Sequence, residues 1–96
     1  MKSVQDQSVA NLTCLQGSVI TTKNYLRERL GDPLVEEPVP FDKVMTEWVI
    51  QFEDGEVATL YDWKLDEALG EYEEYEWHIG GHDTKVVDRL KSKLNL

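Results

Sequence analysis

The chain has 96 residues with 19 acidic and 10 basic side chains, and its formal net charge of −9 disfavours direct binding to nucleic acid or to anionic membranes. The length fits one domain with one core, and the single cysteine, Cys14, excludes an internal disulfide and is interpreted as a small buried residue. No apolar run is long enough to span a bilayer or to act as a secretory signal, so we expect a cytoplasmic protein.

The first part of the chain predicts an arm, a strand and a helix. Residues 1–11 are polar without periodicity and predict a flexible arm, so that a single domain covers 12–96. The segment LTCLQGSVI predicts an edge strand in which Gly17 marks a bulge. The segment TTKNYLRERLGDP predicts a short amphipathic helix that Thr21 or Thr22 caps.

The segment EWVIQFEDGEVATLYDW predicts a β-hairpin. Its two β-prone runs are joined by Asp54-Gly55, a dipeptide typical of the two-residue type I′ turn. Such a turn sets the register, and the pairs expected on the core side are Phe52 with Val57, Ile50 with Thr59, and Trp48 with Tyr61. On the other side Glu47 would face Asp62, which makes that side wet and acidic.

The segment EYEEYEWHIGGHD predicts a further strand. Alternation directs Tyr75, Trp77 and Ile79 to the core, and Glu74, Glu76 and His78 to the opposite side. Gly80-Gly81 would then form a turn before the amphipathic helix DTKVVDRLKSKL, with Asp83 as its N-cap.

These elements predict an α+β fold. We expect a three- or four-stranded, mainly antiparallel sheet packed on one face by two α-helices, in the order β-α-β-β-β-α. The opposite face and the free edges of the sheet are where a partner would bind. The acidic residues expected to contact a protein partner are Glu47, Asp62, Glu73, Glu74 and Glu76.

A second candidate site lies where the hairpin's open end and the exit of the third strand would meet. Aromatic walls, a cation and backbone amides could there stack a base and hold a phosphate. The residues expected to line this site are Tyr61, Trp63, Lys64, His78, Gly80 and Gly81, with Lys23 and Asn24 nearby. In the alternative interpretation Trp63 closes the core, Lys64 is solvated, and the glycines form a capped turn.

No motif in the chain predicts catalysis. No serine, threonine or cysteine lies in a nucleophile motif, and no glycine-rich phosphate loop follows a strand. His78 and His82 have the donor types of a metal site, but their spacing matches no established zinc pattern. We therefore expect neither an enzyme nor a metal or cofactor.

The segments LQGSVITT, LGDP, EWVIQFEDGEVATLYDWK and EWHIGG, in this order over residues 15–81, resemble a family of small, mostly uncharacterised bacteriophage and prophage proteins. The resemblance implies a phage accessory protein that acts in the infected host cell and inhibits host machinery by stoichiometric binding. It implies no catalytic residues. The chain departs from the pattern in its long polar arm and in the acidic insert over 66–74.

Two functions remain open. The leading hypothesis is a non-enzymatic anti-defence protein that binds a host protein, such as a nuclease or CRISPR-type effector, through its acidic surface. The alternative is a binder of small ligands, for example an oligomeric sponge for a nucleotide or cyclic-nucleotide signal, at the second candidate site.

Overall fold

The computed structural model describes residues 2–3, 13–36, 44–63, 65, 67 and 69–96. In chain order the elements are β1 (Lys2–Ser3), β2 (Cys14–Thr21), α1 (Lys23–Leu30), β3 (Val35–Glu36), β4 (Thr46–Gln51), β5 (Val57–Tyr61), β6 (Tyr75–Gly81) and α2 (Lys85–Leu94). The strands lie in the order β1-β4-β5-β6-β2, with β3 also paired to β4, and every pairing is antiparallel. The predicted α+β class is confirmed.

The sheet is wider than predicted, because two short strands pair with the outer edge of β4. Lys2 lies opposite Gln51 and Val35 lies opposite Glu47. A two-residue strand shows no alternation from which it could be predicted. Apart from Lys2–Ser3, the predicted arm over 1–11 lies outside the described residues.

The predicted hairpin is confirmed as β4-β5, but its predicted register is wrong by one residue. The observed pairs are Gln51–Val57, Ile50–Ala58, Val49–Thr59, Trp48–Leu60 and Glu47–Tyr61. The Phe52 amide donates to the Glu56 carbonyl at 2.8 Å, and the Gly55 amide donates to the Phe52 carbonyl at 2.9 Å, so three residues form the loop. Gly55 has a φ of +90°, whereas the φ of Asp54 is not positive. This is the three-residue loop in which a left-handed glycine follows a tight turn, and Asp54-Gly55 suits it as well as the type I′ turn.

The shift in register exchanges the faces of all residues in β5, so that Val57 and Thr59, like Tyr61, do not lie on the predicted core side. Leu60 is fully buried in the core, whereas Tyr61, which was expected in the core, lies on the face of the sheet away from the helices, here called the outer face. Trp48, Ile50 and Phe52 lie in the core as predicted.

Two buried tryptophans hold the helical side of the sheet together. The rings of Trp48 and Trp77 meet edge to face, with centroids 5.6 Å apart. The Trp48 indole donates to the Gly31 carbonyl at 2.9 Å, and the Trp77 indole donates to the Thr21 carbonyl at 3.2 Å. Burying each tryptophan contributes about 1.5–3 kcal/mol or more to folding. Both side chains therefore lie on the core side, as the alternation predicted.

Both helices pack on this one face, as expected. The core joins Leu26 and Leu30 of α1 to Val86, Leu90 and Leu94 of α2. In the described part of the chain, no helix is long and apolar enough to cross a membrane.

The helix starts agree with the predicted capping only in part. Thr22 Oγ1 accepts the Tyr25 amide at 3.1 Å, so Thr22 caps α1 as predicted. The cap position of α2 is Thr84, and the Asp83 carboxylate accepts the Lys85 amide at 2.9 Å. Asp83, which was predicted to be the N-cap, therefore supplies a capping hydrogen bond but occupies the position before the N-cap.

We expect Gly55→Ala to destabilise the protein by about 1–2 kcal/mol, because it forces a Cβ into a left-handed backbone. Nothing lies within 4 Å of that Cβ, so the cost comes from the backbone alone. Urea unfolding measures the change. Gly70→Ala is the matched control, since its Cβ meets Glu73 at an ordinary 3.8 Å and its φ is outside the left-handed region. Equal stability of Gly55→Ala and wild type would exclude this loop.

Candidate functional site

The outer face collects alternate residues of four strands. In an antiparallel sheet, residues directly opposite one another point to the same side. The residues so placed are Leu15, Ser18 and Ile20 of β2, Glu47, Val49 and Gln51 of β4, Val57, Thr59 and Tyr61 of β5, and Glu76, His78 and Gly80 of β6. Polar, aromatic and aliphatic groups thus share this face.

An aromatic site, defined as Tyr61, Trp63, His78 and Gly80, lies at the end of β5. The Tyr61 ring stacks on the His78 ring, with centroids 5.4 Å apart and an interplanar angle of 20°. Trp63 meets Tyr61 edge-on at 6.3 Å, and its amide donates to the Tyr75 hydroxyl at 3.2 Å. The stack depends on the observed register, because Tyr61 faces His78 only when Leu60 turns to the core.

Gly80 allows this close packing. A Cβ at Gly80 would lie 2.4 Å from Thr59 Oγ1 and 3.5 Å from a ring carbon of Tyr61. A side chain at this position would therefore displace Thr59 or the aromatic ring above the strand. Gly80 was predicted to form a turn, but it lies inside β6 and pairs with β2 and β5.

The cavity beside the aromatic site is small and has an acidic wall. It measures about 220 Å³ and is lined by Thr13, Cys14, Val44, Glu47, Thr59, Tyr61, Trp63 and Gly80. Ligand pockets usually measure about 300–1,000 Å³. Burial, with smaller contributions from Glu47 and Cys14, raises the pKa of the Tyr61 hydroxyl above its usual 10.0. The tyrosine therefore stays neutral, and the Glu47 carboxylate opposes an anionic ligand.

His78 and Asp62 each have one buried polar atom without a hydrogen-bond partner among the described residues. These atoms are His78 Nδ1 and Asp62 Oδ2. A buried polar atom is normally paired, so an unpaired one marks a place where a further group could bind. His82 is exposed, and no group of three metal-ligating side chains occurs in the described ranges.

The residues predicted for the ligand site are brought together only in part. Tyr61, Trp63, His78 and Gly80 meet at the aromatic site. Gly81 belongs to the core side, where its Cβ would lie 2.6 Å from Val86, and Lys64 lies outside the described residues. The predicted turn with free glycine amides is therefore wrong.

The first helix contributes no cation to the aromatic site. The Lys23 ammonium is buried and lies 3.9 Å from the Glu36 carboxylate. The backbone amide of Asn24 donates to the Glu71 backbone carbonyl. Both were expected near the ligand. Cys14, expected to be buried, is exposed because it lies at the start of the edge strand.

Asp62 was predicted to bind a partner, but it is a structural residue. Its side chain is 1% exposed, and Oδ1 accepts the amides of Met45 at 2.8 Å and Thr46 at 3.1 Å. It therefore ties the end of β5 to the start of β4. Glu47, which was expected to face Asp62, faces Tyr61 instead.

The other predicted partner-binding residues lie together at the start of β6. Glu73, Glu74 and Glu76 are exposed, and Tyr72 beside them is 79% exposed. We call these four residues the acidic rim. Tyr72 was not predicted, because sequence alone does not distinguish an exposed tyrosine in an acidic loop from one that turns inward.

Two arginines bind carboxylates elsewhere on the molecule. Arg27 contacts Asp32, Glu36 and Glu71, and these contacts raise its pKa well above the usual range, Glu71 having the largest effect. The same contact lowers the pKa of Glu71 below its usual 4.5. Arg89 of α2 binds Asp54 and Glu56 at the hairpin loop. Among the described residues, no lysine or arginine forms such a pair with Glu74 or Glu76.

Comparison with known proteins gave no relative. No family model, curated protein or solved structure matches the chain. The resemblance to a phage protein family therefore stays a prediction.

We expect Asp62→Ala to destabilise the protein by about 2–3 kcal/mol, because it leaves two buried amides without their acceptor. Glu76→Ala is the matched control and should stay within about 0.5 kcal/mol of wild type, since Glu76 is exposed. Chemical denaturation compares the two. An Asp62→Ala protein as stable as wild type would contradict this structural role of Asp62.

Proposed function

We propose that this protein is a non-enzymatic bacteriophage or prophage accessory protein that acts in the bacterial cytoplasm and inhibits a host protein by stoichiometric binding. The observation that supports this function most directly is the acidic rim. There Glu74 and Glu76 are exposed and form no ion pair with a described lysine or arginine, and an exposed tyrosine lies beside them. Tyrosine is enriched among the residues that dominate protein–protein binding energy.

The charge distribution favours a basic partner surface. The contacts of Arg27 and Arg89 partly offset the charge of five carboxylates in loops and in β3. The exposed carboxylates of the acidic rim give this part of a chain with a net charge of −9 a negative potential toward the solvent. Such a field accelerates association with a positive surface and repels nucleic acid.

A nucleic-acid-binding effector of host defence presents this kind of surface. A nuclease or CRISPR-type effector neutralises phosphates with clustered lysines and arginines. The acidic rim would occupy those cations in place of the phosphate backbone. Inhibition of this kind reaches completion at one molecule of inhibitor per effector, whereas an enzyme would act at far lower ratios. The arm, in part outside the described residues, adds chain that a partner could contact.

We expect the double variant Glu74→Lys/Glu76→Lys to weaken binding to the host target about tenfold or more in 50 mM salt. The difference should shrink in 500 mM salt, since exposed charges are then screened. The target is first captured from expressing bacteria with the tagged wild-type chain, identified and purified. Its affinity for each variant is then measured by titration at both salt concentrations.

Glu28→Lys/Asp88→Lys is the matched control. Each double variant converts two acids to two lysines and changes the net charge from −9 to −5, but Glu28 and Asp88 are exposed on the helices. Equal weakening by both variants would mean that net charge alone steers the complex. Unchanged binding by the rim variant would exclude the acidic rim as the contact surface.

Binding of a small nucleotide ligand is the second candidate, and the buried, unpaired Nδ1 of His78 beside the Tyr61 stack favours it. The small cavity and the Glu47 carboxylate weigh against it. In a thermal-shift screen of nucleotides and cyclic nucleotides, we expect no stabilisation. A ligand at 100 times its Kd would add about 2.7 kcal/mol, which for a domain of this size raises Tm by roughly 10 °C or more. A shift of that size, lost in Trp63→Leu, would establish ligand binding instead.

A further inference from the structure

The two edges of the sheet differ in how they are covered. On the β4 side, β1 and β3 pair with the outer edge of the strand. On the opposite side lies β2, and among the described residues β6 is the only strand that pairs with it. In an edge strand, alternate backbone amides and carbonyls point away from the sheet and can pair with another strand.

The β2 edge lacks most of the features that prevent pairing. Its eight residues, CLQGSVIT, contain no charged side chain and no proline. Two aliphatic side chains on the outer face are well exposed there, Leu15 at 58% and Ile20 at 61%. The bulge between Leu15 and Gly17 leaves the stretch from Gly17 to Thr21 in regular pairing with β6. This stretch is long enough to support a short antiparallel ladder on its free edge.

We propose that β2 pairs antiparallel with β2 of a second copy of this chain, so that two sheets join into one continuous sheet across a two-fold axis. The axis passes beside Ser18, which lies opposite Ser18 of the second copy. In this register the core sides of the two sheets lie on the same side of the joined sheet. Gly17 lies opposite Val19 of the second copy, and both residues belong to the core side. The inference is independent of the proposed function.

A hollow on the outer face fits this register. It measures about 400 Å³ and is lined by Leu15, Gln16, Gly17, Ser18, Glu76 and His78. With Ser18 at the axis, Ile20 of the second copy comes alongside Gln16, between Leu15 and Ser18. The exposed isoleucine of each copy thus enters the hollow of the other. One contact repeated by symmetry covers both exposed aliphatic residues, as in an isologous dimer.

The negative charge does not prevent this association. The acidic side chain nearest to the edge within β2 and β6 is Glu76, one strand inward, and Lys91 lines a hollow with Glu76 and with Ser18, Val19 and Ile20 of the edge. In the joined sheet the two β6 strands lie three strand spacings apart, about 14 Å, which exceeds the Debye length of about 8 Å at physiological salt. The side chains of β2 are uncharged, so the dimer should form more readily as salt screens the net charge of −9 on each copy.

Sedimentation equilibrium of the full chain tests the dimer, at concentrations up to about 1 mM, where even a Kd of about 1 mM is visible. We expect a reversible dimer that Ile20→Thr weakens about tenfold or more, since threonine keeps the β-branch but removes apolar contact. Tyr72→Thr, which removes more exposed apolar surface at the acidic rim, should leave the dimer unchanged. A wild-type monomer at every concentration, in low and high salt, would overturn the proposal.

The register is tested separately by cross-linking. In Cys14→Ser/Ser18→Cys, the two Cα atoms of residue 18 would lie about 4.5–5.5 Å apart, within the range of a disulfide. Mild oxidation should give a covalent dimer. Cys14→Ser/Ser92→Cys is the matched control, because Ser92 is exposed on α2, and it should stay monomeric on a denaturing gel. Equal cross-linking of both variants would contradict pairing at Ser18.

Discussion

The edge-to-face contact of Trp48 and Trp77 is the interaction on which the rest of the structure depends. It joins β4 to β6 across β5, on the face covered by the helices. The two indoles also bond to the backbone at Gly31 and Thr21, so they fix the end of α1 and the end of β2. Because side chains alternate along a strand, holding both tryptophans inward directs the neighbouring Glu76 and His78 outward. The packing of the two tryptophans in the core therefore decides which residues of these strands lie on the outer face.

The tryptophan side of each strand could be predicted from alternation, but the register of the hairpin could not. Asp54-Gly55 is compatible with a two-residue and a three-residue loop, and the difference of one residue decides whether Tyr61 or Leu60 enters the core. The structural role of Asp62 could not be predicted from the sequence either. Its partners are the amides of residues 45 and 46, which lie near Asp62 only in the folded hairpin. Local pattern therefore predicted the elements, while the site depended on contacts between them.

Net charge describes this surface poorly. Arg27 and Arg89 gather five carboxylates into two clusters, which offsets part of their charge. Glu74 and Glu76 of the acidic rim form no such pair with a described residue, so their negative charge is not offset in this way. A basic partner would respond to this local field more than to the total charge, because charges beyond a Debye length of about 8 Å are largely screened at physiological salt.

The proposed dimer and the acidic rim share Glu76, which lines the hollow that Ile20 of the second copy would enter, and otherwise use different parts of the same sheet. The rim lies at the start of β6, near the end of β2 that carries Ile20, whereas the axis passes beside Ser18. The antiparallel arrangement places the two rims on opposite sides of that axis, so both stay accessible in the joined sheet. A partner with repeated basic patches could then contact two rims at once, and the second contact would form at the high effective concentration that the linkage sets. Uncharged β2 side chains between two acidic rims would thus allow the proposed dimer to form and leave both rims open to the proposed basic partner.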